Sequence, residues 1–271
     1  MISPTIFQVF GFELRWYSVF ILIAIFIAFV QIDLESKRFK IKREFFFNLM
    51  FWAIIIGIIG ARLYYVIFNF DYYSNHPSEI IQVWNGGLAI HGGLIAGFIT
   101  LLFYCKKYNA NIYKILDICV PSVLLAQAVG RWGNFFNHEA FGSAVEYHTL
   151  VNMKIIPQFI IDNMYIDGAY HLPMFYFESL LCVLGFLIML FIRRRKYIHN
   201  GQIFAFYLIW YGAIRFFIEI FRTDSLMLGS MKVAQGVSAV MILIGLYIMI
   251  VQGRKPSLED LYNKRDDEIR F

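Results

Sequence analysis

Long apolar stretches alternate with short polar connections along the whole chain. A helix that crosses a bilayer needs about 17–25 mostly apolar residues. Seven stretches meet this length, and we predict an all-α integral membrane protein with seven transmembrane helices. The predicted spans are residues 14–30, 47–68, 88–104, 112–129, 174–192, 203–221 and 233–251. The longest connection, residues 131–173, separates the fourth span from the fifth, and residues 1–271 are interpreted as a single membrane domain.

Basic residues gather in every second connection. They are concentrated at residues 37–43, 106–114, 193–196 and 254–270, whereas residues 69–87 contain no lysine or arginine. Cytoplasmic connections of membrane proteins carry an excess of these two residues. The alternation therefore predicts an odd number of spans, with the N-terminus outside the cell membrane and the C-terminus in the cytoplasm.

The composition is typical of a membrane protein. Hydrophobic residues make up 59% of the chain, against about 45–50% in soluble domains, and the mean hydropathy is +0.61. The net charge of +5 is explained by orientation in the membrane and contact with anionic membrane lipids, so no nucleic-acid partner is expected. Cys105, Cys119 and Cys182 lie in or beside spans without paired spacing, which favours neither a disulfide nor a metal site.

Polar residues inside the predicted spans fall at one depth, near the outer surface, and the inner half has almost none. They are Tyr17 in the first span, Arg62 in the second, His91 in the third, and Tyr211, Arg215, Glu219 and Arg222 in the sixth. The four residues of the sixth span are spaced i, i+4, i+8 and i+11, so they share one helix face. The segment 130–142 leaves the outer end of the fourth span and adds Arg131, Asn134, Asn137, Glu139 and Gly142.

Each residue also has an ordinary structural interpretation. Arg215 and Glu219 could form only an ion pair between helices, and His91 could be a packing residue. Asn134 and Asn137 could cap or turn the chain. A shared depth is not expected from unrelated structural roles, however, and charge within a membrane is functional by default. The convergence therefore favours one polar site.

The residue types of this site suit an anionic phospholipid. Arginine binds phosphate through a rigid, permanently charged fork, and histidine moves protons near neutral pH. The sequence has no His-Glu-x-x-His pair and no Gly-x-Ser-x-Gly elbow, so neither a metal or other cofactor nor a serine nucleophile is expected. A transfer reaction with phosphate as leaving group fits best. The alternatives are a transporter or flippase for anionic lipids, and a metal-dependent headgroup transferase.

The motifs point to one family. Residues 130–142 resemble the signature Gly-Arg-x-Gly-Asn-Phe-x-Asn-x-Glu-x-x-Gly of bacterial prolipoprotein diacylglyceryl transferases. The motif His91-Gly92-Gly93-Leu94 and the pattern Tyr211-Gly212-x-x-Arg215-Phe216-x-x-Glu219-x-x-Arg222 are similar to the same family. The resemblance extends over nearly the whole chain.

The resemblance implies a reaction, partners and a location. The diacylglyceryl group of phosphatidylglycerol would move to the thiol of the lipobox cysteine in a prolipoprotein signal peptide, with loss of glycerol 1-phosphate. The protein would lie in the bacterial cell membrane, with residues 131–173 as a small extracytoplasmic head.

The resemblance also assigns site residues. Those with catalytic roles would be His91, Arg131, Glu139, Tyr211 and Arg215. The residues that bind phosphatidylglycerol would be Tyr17, Arg62, Arg131, Asn134, Asn137, Gly142, Arg215, Glu219 and Arg222. Within this scheme His91 is the candidate base, and Arg131 and Arg215 hold the phosphate.

One motif departs from the family. The fifth span often opens with His-Pro-x-Gln-x-Tyr-Glu in that family. Phe175 and Phe177 stand here at the glutamine and tyrosine positions, while Pro173 and Glu178 match.

Overall fold

A computed structural model describes residues 3–9, 12–223, 227–229, 231–256, 258, 260–264, 269 and 271. Arg265 and Arg270 of the predicted basic tail lie outside the described residues. Helices dominate the described chain. They are α1 Trp16–Arg38, α2 Arg43–Phe68, α3 Phe70–Asn75, α4 Ile90–Lys107, α5 Ile112–Phe136, α6 Tyr147–Asn152, α7 Gln158–Asp162, α8 Met174–Ile192, α9 Gln202–Phe221 and α10 Val233–Gly253.

The strands are short and pair locally. They are β1 Thr5–Val9, β2 Phe12–Arg15, β3 Ala144–Val145, β4 Tyr165–Ile166, β5 Ala169–His171, β6 Met227–Leu228 and β7 Met231–Lys232. β1 and β2 form an antiparallel hairpin before α1, and β6 and β7 form another before α10. The remaining three strands form an antiparallel sheet in the order β3-β5-β4.

Six helices in the described part of the chain are long and apolar enough to cross a membrane, namely α1, α2, α5, α8, α9 and α10. The chain is therefore mostly helical, as predicted for an integral membrane protein. The third predicted span is also a helix, α4, but its 18 residues are not among the six. Polar residues explain this difference, because α4 includes His91 in its first turn and Lys106 and Lys107 in its last.

Helix ends differ from the predicted spans wherever polar residues continue a helix. α1 extends to Arg38, eight residues beyond the predicted end. α5 extends to Phe136 instead of residue 129, so Arg131 and Asn134 lie on its last turns and not in the connection that follows. Apolar content marks where a chain can meet lipid, whereas backbone hydrogen bonds determine where a helix ends.

The chain divides into two compact units. The first contains residues 1–32 and 116–264, and the second contains residues 33–115 and 265–271. In the first unit, the sheet β3-β5-β4 and the short helices α6 and α7 follow α5. Their apolar core includes Leu150, Ile160 and Phe175, each at most 2% exposed.

Close packing of α2 against α4 organises the second unit. A Cβ atom added at Gly92 would overlap the backbone oxygen of Gly60, and one added at Gly60 would overlap Ala96. Only glycine permits this approach of two helix backbones, which is the usual way that membrane helices pack. Gly92, next to His91, therefore has a packing role.

Asp117 provides an unexpected polar contact in the predicted fourth span. Its carboxylate is fully buried and accepts hydrogen bonds from the backbone N–H groups of Gly201 (2.6 Å) and Phe204 (2.7 Å). The first N–H groups of a helix have no partner within the helix. Asp117 of α5 therefore caps α9 from another element.

Replacement of Asp117 by alanine should lower the free energy of unfolding by about 1–3 kcal/mol, because two buried N–H groups lose their side-chain acceptor. The stability of Asp117→Asn should lie between those of the wild type and Asp117→Ala, since asparagine keeps one acceptor oxygen. Thermal unfolding in detergent micelles measures both. Asp162→Ala is the control, because Asp162 is exposed. An equal unfolding midpoint for Asp117→Ala and the control would show that the cap contributes nothing.

Candidate active site

Four charged side chains form a cluster across three helices of the first unit. Arg131 of α5 and Arg215 of α9 both contact Glu178 of α8. The Arg131 Nη2–Glu178 Oε1 distance is 2.9 Å, and the Arg215 Nη1–Glu178 Oε2 distance is 3.4 Å. Arg215 Nη2 also lies 2.9 Å from Glu219 Oε2. We call Arg131, Glu178, Arg215 and Glu219 the charged cluster.

The two carboxylates of the cluster are more deeply buried than the arginines. The side chains of Glu178 and Glu219 are 3% exposed, whereas those of Arg131 and Arg215 are 20% and 16% exposed. A buried charge is costly unless it is paired and hydrogen-bonded. The carboxylates thus compensate the positive charge of the guanidinium groups from within the protein, and the guanidinium groups remain partly accessible.

Two neutral groups complete the contacts of Arg131. Its Nη2 donates to the Tyr211 hydroxyl and its Nη1 to Asn134 Oδ1, both at 3.3 Å. Tyr211 stacks on Tyr207 with ring centroids 5.9 Å apart. Gln127 Nε2 in turn donates to the Tyr207 hydroxyl at 3.1 Å. A chain of polar groups therefore extends from Arg131 into the helix bundle.

The helical spacing explains how these residues meet. Tyr211, Arg215 and Glu219 follow at intervals of four on α9, as predicted, and Arg131 and Asn134 are three apart on α5. Tyr17 of α1 packs on the same turn of α5, because a Cβ atom at Gly133 would lie only 2.8 Å from its ring. Gly133 therefore permits close contact between α1 and α5.

The end of α9 is held by backbone contacts. α9 ends at Phe221, so Arg222 does not continue the helix face as predicted. Its backbone is extended and pairs with Gly142. Lys232 Nζ donates to the carbonyl oxygens of Glu219 (2.6 Å) and Arg222 (2.9 Å). A lysine at this place satisfies carbonyl groups that a helix end leaves without partners.

The remaining residues of the signature lie beyond α5. Glu139 is exposed, and its Oε1 accepts a hydrogen bond of 3.5 Å from Asn137 Nδ2. Among the described residues, Arg131 contacts the carboxylate of Glu178.

Two predicted site residues belong to the second unit. His91 is exposed on the first turn of α4, with its ring centroid 6.2 Å from that of Tyr64. Arg62 of α2 is only 6% exposed, and its guanidinium group donates to backbone carbonyls of the segment that precedes His91. Its donors are therefore engaged within the protein, which argues against a role as headgroup ligand.

The described residues contain no group of three or more histidine, cysteine, aspartate or glutamate side chains that could hold a metal ion. Cys105, Cys119 and Cys182 form no disulfide in the part of the chain that the structure describes.

The chain matches known proteins over almost its full length. The family model described as prolipoprotein diacylglyceryl transferase matches residues 4–251. The chain belongs to this family. Proteins called phosphatidylglycerol–prolipoprotein diacylglyceryl transferase are 46% identical in Staphylococcus saprophyticus, covering 93% of this chain and 90% of the relative. The identity is 48% in Staphylococcus carnosus, with 92% and 90% covered. It is 44% in Streptococcus agalactiae, with 94% and 98% covered.

Within this transferase, the substituted motif that opens α8 has a packing role. Phe175 is 2% exposed and stacks on Phe135 with centroids 4.7 Å apart. It also meets Trp132 edge-on at 5.6 Å. A glutamine amide here would need hydrogen-bond partners inside an apolar core. Phe175 therefore strengthens the core beneath the α5 turn that carries Arg131.

Glu178 is the residue that the sequence prediction of the site omitted, although its position in the motif was noted. It lies one turn into α8, within a predicted span. An ionisable residue at such a position is by default a functional candidate. That signal could have added Glu178 to the predicted site, but its two arginine partners are 47 and 37 positions away in the sequence, and no local pattern reveals them.

The geometry predicts unequal roles for the two carboxylates. Glu178→Gln should lower the free energy of unfolding by about 1–3 kcal/mol, since two arginines lose their shared anionic partner. Glu219→Gln should cost about half as much, because Glu219 contacts one of those arginines. Thermal unfolding of both variants in the same detergent provides the comparison. Equal unfolding midpoints would mean that the contact of Glu178 with both arginines adds no stability beyond that of the single contact of Glu219.

Proposed function

We propose that the chain transfers the diacylglyceryl group of phosphatidylglycerol to the lipobox cysteine of prolipoproteins. Its membership of the transferase family and the names of its relatives support this reaction. The observation that carries the proposal is the charged cluster, in which two arginines meet on one buried glutamate. This arrangement suits a substrate whose phosphate leaves.

The reaction forms one bond and breaks another. The cysteine sulfur bonds to the glyceryl carbon that carries the phosphate, and the bond between that carbon and the phosphate oxygen breaks. Glycerol 1-phosphate leaves with the electron pair, and the thiol proton passes to a base. The products are a thioether on the prolipoprotein and the free phosphate ester.

Arg131 and Arg215 are proposed to stabilise the charge that develops on the leaving phosphate. Fixed donors aimed at developing charge are effective because they need no reorganisation during the reaction. Glu178, Glu219 and Tyr211 hold these guanidinium groups in place. The carboxylates lie deeper than the arginines, so an incoming phosphate meets the cationic side first.

Residues around the cluster are proposed to contact the headgroup. They are Tyr17, Asn134, Asn137, Glu139, Gly142 and Arg222, which lie on α1, at the end of α5, and in the segments that follow α5 and α9. His91 is proposed as the base that takes the thiol proton. Its exposed ring, on the first turn of α4, is accessible to a substrate.

The proposed setting is the bacterial cell membrane. We propose seven spans with α4 as the third, the N-terminus outside and the C-terminus in the cytoplasm. The alternation of basic residues supports this orientation. Residues 131–173 would form the extracytoplasmic head, and residues 1–271 would act as one transferase domain.

A direct assay tests the proposed reaction. Purified protein is incubated with phosphatidylglycerol and a synthetic lipobox peptide, and the peptide is analysed by mass spectrometry. The expected product is heavier by one diacylglyceryl group and lacks a free thiol. A peptide with serine in place of cysteine should remain unmodified. An unmodified cysteine peptide under conditions where the protein is folded would refute the proposal.

Arg131→Lys should lower transfer by about 10- to 100-fold, because hydrogen bonds to charged groups are each worth about 1.5–3 kcal/mol and an ammonium group cannot reproduce the fork. Arg131→Ala should be slower still. Arg15→Lys is the matched control, since Arg15 is exposed and pairs with the nearby Glu13. Folding is checked first by thermal unfolding. Near-normal transfer by both Arg131 variants would exclude Arg131 from the site.

His91→Gln should lower transfer at neutral pH by about 10²–10⁴-fold, the usual contribution of a general base. Raising the pH from 7 to 9 should restore part of the rate, because a thiol with a pKa of about 8.5 then ionises without help. Binding of phosphatidylglycerol should be unchanged. His148→Gln serves as control, since His148 is an exposed residue of α6. Normal transfer by His91→Gln at pH 7 would place the base elsewhere.

A further inference from the structure

The guanidinium group of Arg62 donates four hydrogen bonds to backbone oxygens. Its Nε donates to Ile80 O (2.8 Å) and its Nη2 to Glu79 O (2.6 Å). Its Nη1 donates to both Gly86 O (2.8 Å) and Gly87 O (2.9 Å). Four hydrogen bonds from one side chain therefore hold two stretches of the segment 79–87. We call this arrangement the Arg62 clamp.

Aromatic rings accompany the backbone carbonyls around the buried charge of Arg62. The guanidinium carbon lies 5.1 Å from the ring centroid of Tyr73 and 6.0 Å from that of Tyr65. The Glu79 carboxylate instead accepts from the Tyr72 hydroxyl at 2.9 Å, which raises the pKa of Tyr72. Carbonyl dipoles and aromatic faces thus offset the cost of a buried cation.

The backbone around the clamp is built for close contact. Gly86 and Gly87 have φ values of +86° and +69°, in the left-handed region that favours glycine. The two differ in their surroundings. A Cβ atom at Gly87 would overlap Arg62 Nη1, whereas one at Gly86 would have nothing within 4 Å. Only Gly87 is required by the clamp itself.

The clamp lies directly before the helix that carries His91. Ala89 N donates to Ala61 O at 3.0 Å, so the residue next to Arg62 holds the start of α4. One turn further, Gly92 packs on Gly60. Positions 60, 61 and 62 of α2 therefore fix three successive points of the chain on either side of His91.

We propose that Arg62 is a positioning residue for His91 and does not bind the substrate phosphate. The planar fork holds the incoming backbone in one conformation, and this conformation determines where the first turn of α4 presents the imidazole ring. A lysine has no planar fork and cannot reproduce the four directed bonds. The proposal rests on the role of His91 in the proposed function.

The test combines Arg62→Lys with His91→Gln in a double-mutant cycle, using the intact protein and the lipobox peptide assay. Arg62→Lys alone should lower kcat by roughly tenfold or more, with KM for phosphatidylglycerol within about twofold of wild type. In the His91→Gln background it should change kcat by less than about twofold, because the positioned group is already gone. Rates are normalised to folded protein.

Hydrogen exchange provides a readout that does not depend on catalysis. Amide exchange of residues 79–91 should accelerate by roughly tenfold or more in Arg62→Lys, while α10 stays protected. Arg43→Lys, an arginine at the start of the same helix, should change neither exchange nor kcat. If Arg62→Lys does not fold, Gly87→Ala replaces it and Gly86→Ala becomes its control, since both strain φ but only the first displaces Arg62.

The outcomes separate the hypotheses. A raised KM with normal exchange would overturn the proposal and make Arg62 a headgroup ligand. A kcat loss that multiplies with that of His91→Gln would also overturn it, because the two residues would then act independently. Absence of transfer by the wild-type protein would instead refute the proposed function, and the exchange result would still decide whether the clamp exists.

Discussion

The cost of placing charge among apolar helices shapes the first unit. Glu178 is a carboxylate with almost no exposure to solvent, and the two arginines beside it make that burial tolerable. Because the arginines belong to α5 and α9, the glutamate on α8 requires three helices to converge at one point. Any displacement of one helix would separate opposite charges in a medium that screens them poorly. The interaction proposed to support catalysis therefore also specifies how these helices pack.

Arg131 and Arg62 show how one residue type serves two purposes. Arg131 shares its donors between a carboxylate, a phenol and an amide, and part of the guanidinium group stays accessible. Arg62 directs its donors to four backbone carbonyls and is nearly inaccessible. The arrangement of Arg131 leaves room for an anionic ligand, whereas the guanidinium donors of Arg62 are used to hold a loop. Contact geometry separates the two roles where residue identity does not.

The sequence predicted helices at all seven apolar stretches, because each span is a continuous run of mostly apolar residues that can be recognised locally. It also predicted the face shared by Tyr211, Arg215 and Glu219, which follows from helical spacing alone. It could not predict the extension of α5 through Arg131, since polar residues hide the continuing backbone hydrogen bonds. Nor could it pair Glu178 with its arginines or Asp117 with α9, because these contacts join residues far apart in the chain and depend on the packed structure. The roles proposed for individual site residues remain predictions.

Both ends of α9 are completed by groups from elsewhere. Asp117 accepts the first N–H groups, and Lys232 donates to the last carbonyls. Asp117 is synthesised 84 residues before Gly201, the residue that precedes α9. Lys232 is synthesised 11 residues after Phe221, where α9 ends. During biosynthesis Asp117 therefore has no N–H donors from this region until residues 201–204 have been inserted. The carbonyl groups of Glu219 and Arg222 likewise lack the Lys232 donor until residue 232 has been added. α9, which carries Arg215, therefore obtains hydrogen-bond partners for both of its ends only late in synthesis. Assembly of the charged cluster is thus coupled to completion of the first unit.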